Sequence, residues 1–145
     1  LLHYKLIVLQ YGLNVAAPTT DNFDFYERDM IRVIKHMQQC FPEADVLVIG
    51  VGDKSYNNEG TFETQPSIPI LIEAQKNAAR KCNTAFWNLY DAMGGYNSML
   101  AWVDSLQYAN KDYTHLNFKG SGVVARKIYK DLMSEYKIYS KTLKK

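Results

Sequence analysis

An aspartate and a histidine three residues apart, Asp112 and His115, stand in the stretch KDYTHLNFKGSG. A carboxylate that accepts the Nδ1–H of an imidazole fixes its tautomer. It leaves Nε2 free to take a proton from a hydroxyl nucleophile. A turn can close this span with both side chains on one side. The same residues also fit the start of a helix, with Asp112 or Thr114 as cap and His115 on the surface, and spacing alone favours that plainer reading. Much earlier, YGLNV places Gly12 and Asn14 where an apolar run ends. A side-chain amide there can donate to a developing oxyanion, and Gly12 allows close approach of backbone or substrate. Gly and Asn are equally what an ordinary strand-end turn selects.

Other positions offer less. Ser98, in GGYNSM, could touch a substrate or cap a helix, and Trp102 and Tyr96 fall in a region that would face the same end of the sheet. GVGD and KGSG lack the spacing of phosphate loops, and no GxSxG elbow occurs. Asp53, Asp91, Asp104 and Asp112 are scattered and form no metal constellation, so neither metal nor cofactor is expected. His3 and His36 read as surface or core residues. Cys40 and Cys82 are outside any CxxC pattern and read as free thiols.

The elements that must position these residues follow from the apolar pattern. KLIVLQYG and ADVLVIGVGD read as buried strands, and TAFWNLYDAMGG as a third strand with its exit. Phe25 to Cys40 has helical spacing, with Asp21 or Asn22 as candidate cap and Pro42 after its end. A second helix is predicted from about Pro69 to Cys82, a short helix or loop over YNSMLAWVDSLQYA, and a final helix from Gly120 to about Tyr139. GVGDKSYNNEGTFETQPS reads as a long polar loop. Strands alternating with helices imply an α/β fold with a parallel sheet. In such sheets function gathers at the carboxyl ends of the strands, where Gly12, Asn14, Asp53 and Asp91 fall.

Length and composition bound the remaining classes. The chain has 145 residues and 47% hydrophobic content, which suits one ordinary domain over residues 1–145 with a real core. A net charge of +2, from 17 basic and 15 acidic residues, gives no footprint for nucleic acid. No run approaches the roughly 20 apolar residues of a membrane span. The first predicted strand begins almost at residue 1 and leaves an apolar edge, so a fragment is expected, with any targeting signal upstream and self-pairing through that edge open.

Taken together, YGLNV and DYTHLNFKGSGVVARKIYKDL resemble the later blocks of the SGNH (GDSL-type) hydrolases. The third block, usually G-x-N-D after a parallel strand, is matched by Gly12 and Asn14, with Val15 in place of the usual Asp. The fifth block, D-x-x-H before the final helix, is matched by Asp112 and His115, and VLVIGVGD resembles the strand and loop between the two. The resemblance spans essentially the whole chain. It implies a flavodoxin-like three-layer α/β/α fold lacking its N-terminal strands, and a serine ester hydrolase with His115 as base, Asp112 orienting it and Asn14 in the oxyanion hole. Gly12, Ser98 and Trp102 would contact substrate, a small acyl ester such as an O-acetylated carbohydrate. The G-D-S block with the nucleophile is not in this sequence, and none of Ser55, Ser67, Ser98, Ser105, Ser121, Ser134 and Ser140 stands in its context. A non-catalytic binding domain on the same fold is the alternative, and Val15 and the missing serine favour it.

Overall fold

A computed structural model describes residues 3–143. Its centre is a three-stranded sheet of β1 (Leu6–Leu9), β2 (Asp45–Ile49) and β5 (Ala85–Trp87), in the spatial order β1-β2-β5. Both pairings are parallel, with Leu9 opposite Val48 and Ile49 opposite Trp87. The side-chain alternation of a strand divides the core into two. Val46 and Val48 of β2, Ile7 and Leu9 of β1 and Phe86 of β5 face helices α1 (Asp24–Cys40) and α2 (Ser67–Lys81). Ile49 and Trp87 face the other way, into a second core with α3 (Leu89–Met93), α4 (Ser98–Asp104) and the first turns of α5 (Phe118–Thr142). The result is a three-layer α/β/α arrangement.

Each helix is placed by its apolar stripe. In α1 Tyr26, Met30 and Ile34 recur at every fourth residue and are buried; Met30 and Ile34 are 1% and 0% exposed. Burying such a side chain contributes about 1.5–3 kcal/mol. The helix starts at Asp24 with Phe23 at the cap position, so neither Asp21 nor Asn22 is the cap residue. Asn22 instead accepts the Asp24 N–H at 2.7 Å from one position further out. Helix α5 meets the sheet through Trp87, whose indole N–H donates to Asp131 at 2.9 Å, and meets α3 through Lys127, whose ammonium donates to the Ala92 carbonyl.

Three further sequence expectations change. The third strand is short, and LYDAM is helix α3 rather than a strand exit. The final helix begins at Phe118, with the Asn117 side chain capping it by accepting the Gly120 N–H at 3.1 Å. The stretch read as a long polar loop contains an antiparallel hairpin of β3 (Ser55–Asn58) and β4 (Thr61–Thr64). Its turn residues Glu59 and Gly60 both have positive φ, 50° and 94°, the two-residue geometry whose twist suits a hairpin. The strands are SYNN and TFET, so they lack the apolar alternation that announces a strand.

On the α5 side of the sheet, β1 is bare. Leu6 and Val8 are each 48% exposed. No helix among the described residues is long and apolar enough to cross a membrane.

Candidate active site

The two chemistry-bearing stretches, 101 residues apart from Asn14 to His115, meet at one cavity. Its volume is about 410 Å³, and Gly12, Leu13 and Asn14 line one part of it and Thr114, His115 and Leu116 another. Val51, Gly52 and Asp53, from the end of β2, form its floor together with Leu89, Met93 and Met99. The cavity therefore lies beyond the carboxyl ends of β1 and β2, where open α/β sheets hold ligands.

The loop before α5 shows what Asp112 does. Its Oδ2 accepts from His115 Nδ1 at 2.8 Å, and its Oδ1 accepts the N–H groups of Thr114 and His115 at 3.0 and 2.9 Å. Since Asn117 caps the helix, Asp112 and Thr114 are free of that role. A carboxylate can only accept, so Nδ1 carries the hydrogen and Nε2 has its lone pair available. No group among the described residues bonds Nε2. The backbone N–H of His115, then its ring N–H, hold the Asp112 carboxyl below its ordinary 3.8. This is the way a carboxylate orients an imidazole for proton transfer.

Tyr113, between them, has a φ of 54°, which costs a residue with a Cβ roughly 1 kcal/mol or more. Three neighbours hold it there. Its carbonyl accepts the Ser55 N–H of the hairpin at 3.0 Å. Its ring stacks on Phe62 of β4 with centroids 4.0 Å apart. Its hydroxyl donates to Asp104 at 3.0 Å.

Asn14 sits on a single 3-10 turn, Leu13–Val15, directly after Gly12. Gly12 has a φ of 117°, and a Cβ there would run into the Tyr26 hydroxyl. Glycine is required on both counts. The Val15 N–H closes the turn on the Gly12 carbonyl at 3.0 Å. The Asn14 side chain is exposed and makes no hydrogen bond among the described residues, so its amide is available to a ligand.

Asp53 is 1% exposed yet touches the cavity. It accepts from Met99 N at 2.7 Å, Thr64 Oγ1 at 2.9 Å and Ser98 Oγ at 3.3 Å. Burial raises its carboxyl above the ordinary 3.8, and these donors oppose that rise. Asp53 thus ties the end of β2 to the hairpin and to α4. Tyr26, on α1, is buried as well, and burial pushes its phenol up to about 12, so it remains a protonated donor.

Two of the residues expected to contact substrate lie elsewhere. Ser98 is 6% exposed, bonds to Asp53 and does not line the cavity. Trp102 is 3% exposed in the second core, and its indole N–H is spent on the Met93 carbonyl at 2.9 Å. Their spacing on α4 already marks a packed face, since Ser98, Met99, Trp102 and Val103 are its buried residues. Tyr96 is exposed and its hydroxyl reaches Glu63. Sequence reading missed Tyr26 and Gln75. The available signal was a lone Gln on the apolar stripe of α2, four residues after Leu71 and three before Ala78. Cys40 and Cys82 are both free thiols.

No protein-family model and no curated protein matches the sequence. Solved structures do. One described as "Peptidoglycan O-acetylesterase in action" is similar over 90% of this chain at 27% identity and a TM-score of 0.80, and this chain covers 37% of its length. A GDSL-like lipase from Parabacteroides merdae ATCC 43184 matches 83% of this chain at 13% identity, with a TM-score of 0.63 and 56% of its own length covered. The lipopolysaccharide acetyltransferase periplasmic domain from Salmonella ser. Paratyphi A matches 89% of this chain at 13% identity, with a TM-score of 0.58 and 57% of its length covered. The latter two likenesses are of fold. The chain thus has the fold of the SGNH/GDSL-type hydrolases, with Asn14 and the Asp112–His115 pair beside the cavity at its strand ends.

Proposed function

We propose that residues 1–145 are the C-terminal part of a serine ester hydrolase domain whose nucleophilic serine lies outside this chain. The observation that carries the reading is the cavity shared by Asn14 and by a His115 held on Asp112. None of the serines of the sequence lines it. The bare apolar face of β1 supports an additional covering segment, as does the 37% share of the peptidoglycan O-acetylesterase structure that this chain spans.

In this reading the serine Oγ attacks the acyl carbonyl and passes its proton to His115 Nε2. Asn14 donates to the oxyanion, and Asp112 stabilises the imidazolium through Nδ1–H. The imidazolium returns the proton to the departing alcohol, leaving an acyl-enzyme. Water, deprotonated by His115, then attacks the acyl carbon. The acid departs, and the proton returns to the serine. No metal enters any step. The substrate class is a small acyl ester, and O-acetylated carbohydrate is favoured by the likeness to the O-acetylesterase.

The test is acetate release from O-acetylated peptidoglycan by the full-length protein. Asn14→Ala is expected to lower kcat about a hundredfold, the scale of one oxyanion donor, with the protein still folded. Acetate release that is indifferent to both Asn14→Ala and His115→Ala would refute the assignment. The alternative of a binding domain rests on Val15 and on the missing G-D-S serine. It predicts carbohydrate binding without acetate release.

A further inference from the structure

Gln75 sits on α2 with 0% exposure, remote in sequence from both blocks, and bonds at both ends of its amide. Its Oε1 accepts the Val51 N–H at 2.9 Å. Its Nε2 donates to the Tyr11 carbonyl at 2.9 Å and to the Tyr26 hydroxyl at 3.2 Å. The Tyr26 hydroxyl in turn donates to the same Tyr11 carbonyl at 3.0 Å. The amide orientation is settled by its partners. A backbone N–H can only donate and a carbonyl can only accept, so Oε1 must face Val51 and Nε2 must face Tyr11.

These bonds fall where the sheet ends. The last registered pair of β1 and β2 is Leu9 opposite Val48. Beyond it the chains part and open the cavity, leaving Tyr11 C=O and Val51 N–H without each other. Gln75 spans that gap. The Tyr11 carbonyl belongs to the peptide that leads into Gly12, and the turn carrying Asn14 starts there. The Asn14 amide makes no hydrogen bond of its own among the described residues, so the backbone of that turn sets the point and the Cα–Cβ direction from which the amide reaches into the cavity. A rotation of the Tyr11–Gly12 peptide therefore moves the Asn14 amide.

We propose that Gln75 and Tyr26 are positioning residues for the ester hydrolysis, gripping the Tyr11 carbonyl so that Asn14 points at the carbonyl oxygen of the substrate opposite His115. This rests on the hydrolase reading above. The grip is specific to the oxyanion side of the cavity, because no hydrogen bond of either residue goes to the Asp112–His115 turn.

The test uses the full-length protein carrying Tyr26→Phe or Gln75→Met, each nearly isosteric. Two quantities are read: kcat and KM for p-nitrophenyl acetate, and the side-chain amide resonance of Asn14 by NMR. Tyr26→Phe is expected to lower kcat about tenfold, with Gln75→Met lowering it further, since a small misplacement of a catalytic group costs up to about a hundredfold. KM should stay within about twofold, and the Asn14 amide resonance should shift in both variants. Should Gln75→Met not fold, Tyr26→Phe decides alone. An unmoved Asn14 resonance, or kcat unchanged in folded Tyr26→Phe, overturns the proposal. A wild-type protein inert toward acyl esters would remove the hydrolase reading and with it the catalytic role, whereas a shifted Asn14 resonance would still uphold the grip on the turn.

Discussion

Asn14 rides on a turn gripped by side chains from two helices, Tyr26 of α1 and Gln75 of α2, whereas His115 rides on a turn closed chiefly by its own residues. The first is anchored by buried polar groups. Its anchor Gln75 is 0% exposed, and Asn14 itself dangles without a partner. The second is exposed, and the Asp112 carboxylate alone accepts three bonds from within four residues. The contrast matches the two tasks. A general base needs its ring rotation and tautomer fixed, which one adjacent carboxylate can do. An oxyanion donor needs a lasting direction toward an empty point in space, and preorganisation of that kind must come from a rigid surround.

Experiments that break one turn and spare the other sharpen this contrast. The largest effect is expected from His115→Ala in the full-length protein, a loss of about a thousandfold in kcat with little change in thermal stability, because general base catalysis is worth that much and the ring is exposed. Steady-state kinetics beside a thermal melt would show the dissociation of the two quantities. Gly12→Ala should do the reverse and strike folding. The left-handed φ and the collision with Tyr26 together should cost about 2 kcal/mol or more of stability, measured by urea unfolding.

A smaller effect is expected at one of the long-range supports of the His115 turn. Phe62→Ala removes the stack on Tyr113 and should cost about 1 kcal/mol, with the hairpin amides exchanging faster in hydrogen-exchange measurements. The smallest is a matter of titration. Asp112 is held below its ordinary 3.8, so its interactions stabilise the turn above that value and are lost as pH falls through the lowered native one. In His115→Ala the ring N–H is gone while the backbone N–H remains. The Asp112 carboxyl midpoint, followed by carbon NMR, should therefore rise part of the way back.

The same contrast explains what the sequence made legible. D-x-x-H is compact, and its bonds are local, so residue spacing alone raised the pairing of Asp112 with His115. The strands and the α/β layering were readable because ADVLVIGVGD and KLIVLQYG carry the uninterrupted apolar character of buried parallel strands. The hairpin was hidden because SYNN and TFET each hold a single aromatic among polar residues, with no apolar alternation, and the turn uses Glu-Gly. Ser98 and Trp102 were drawn toward the substrate by their loop-like surroundings, while the helical spacing that buries them was present but short. Gln75 and Tyr26 were invisible as site residues because their partners are backbone atoms at the ends of β1 and β2. Nothing in a sequence marks which backbone groups a sheet leaves unpaired.

The central claim is that His115 and Asn14 serve a serine supplied from outside these residues. It is tested most directly by treating the full-length protein with a fluorophosphonate and mapping the adduct by mass spectrometry. The account predicts one modified serine, lying outside residues 1–145, with labelling slowed strongly in His115→Ala. An adduct on Ser98, Ser121 or any other serine within the chain, or labelling indifferent to His115, would contradict it.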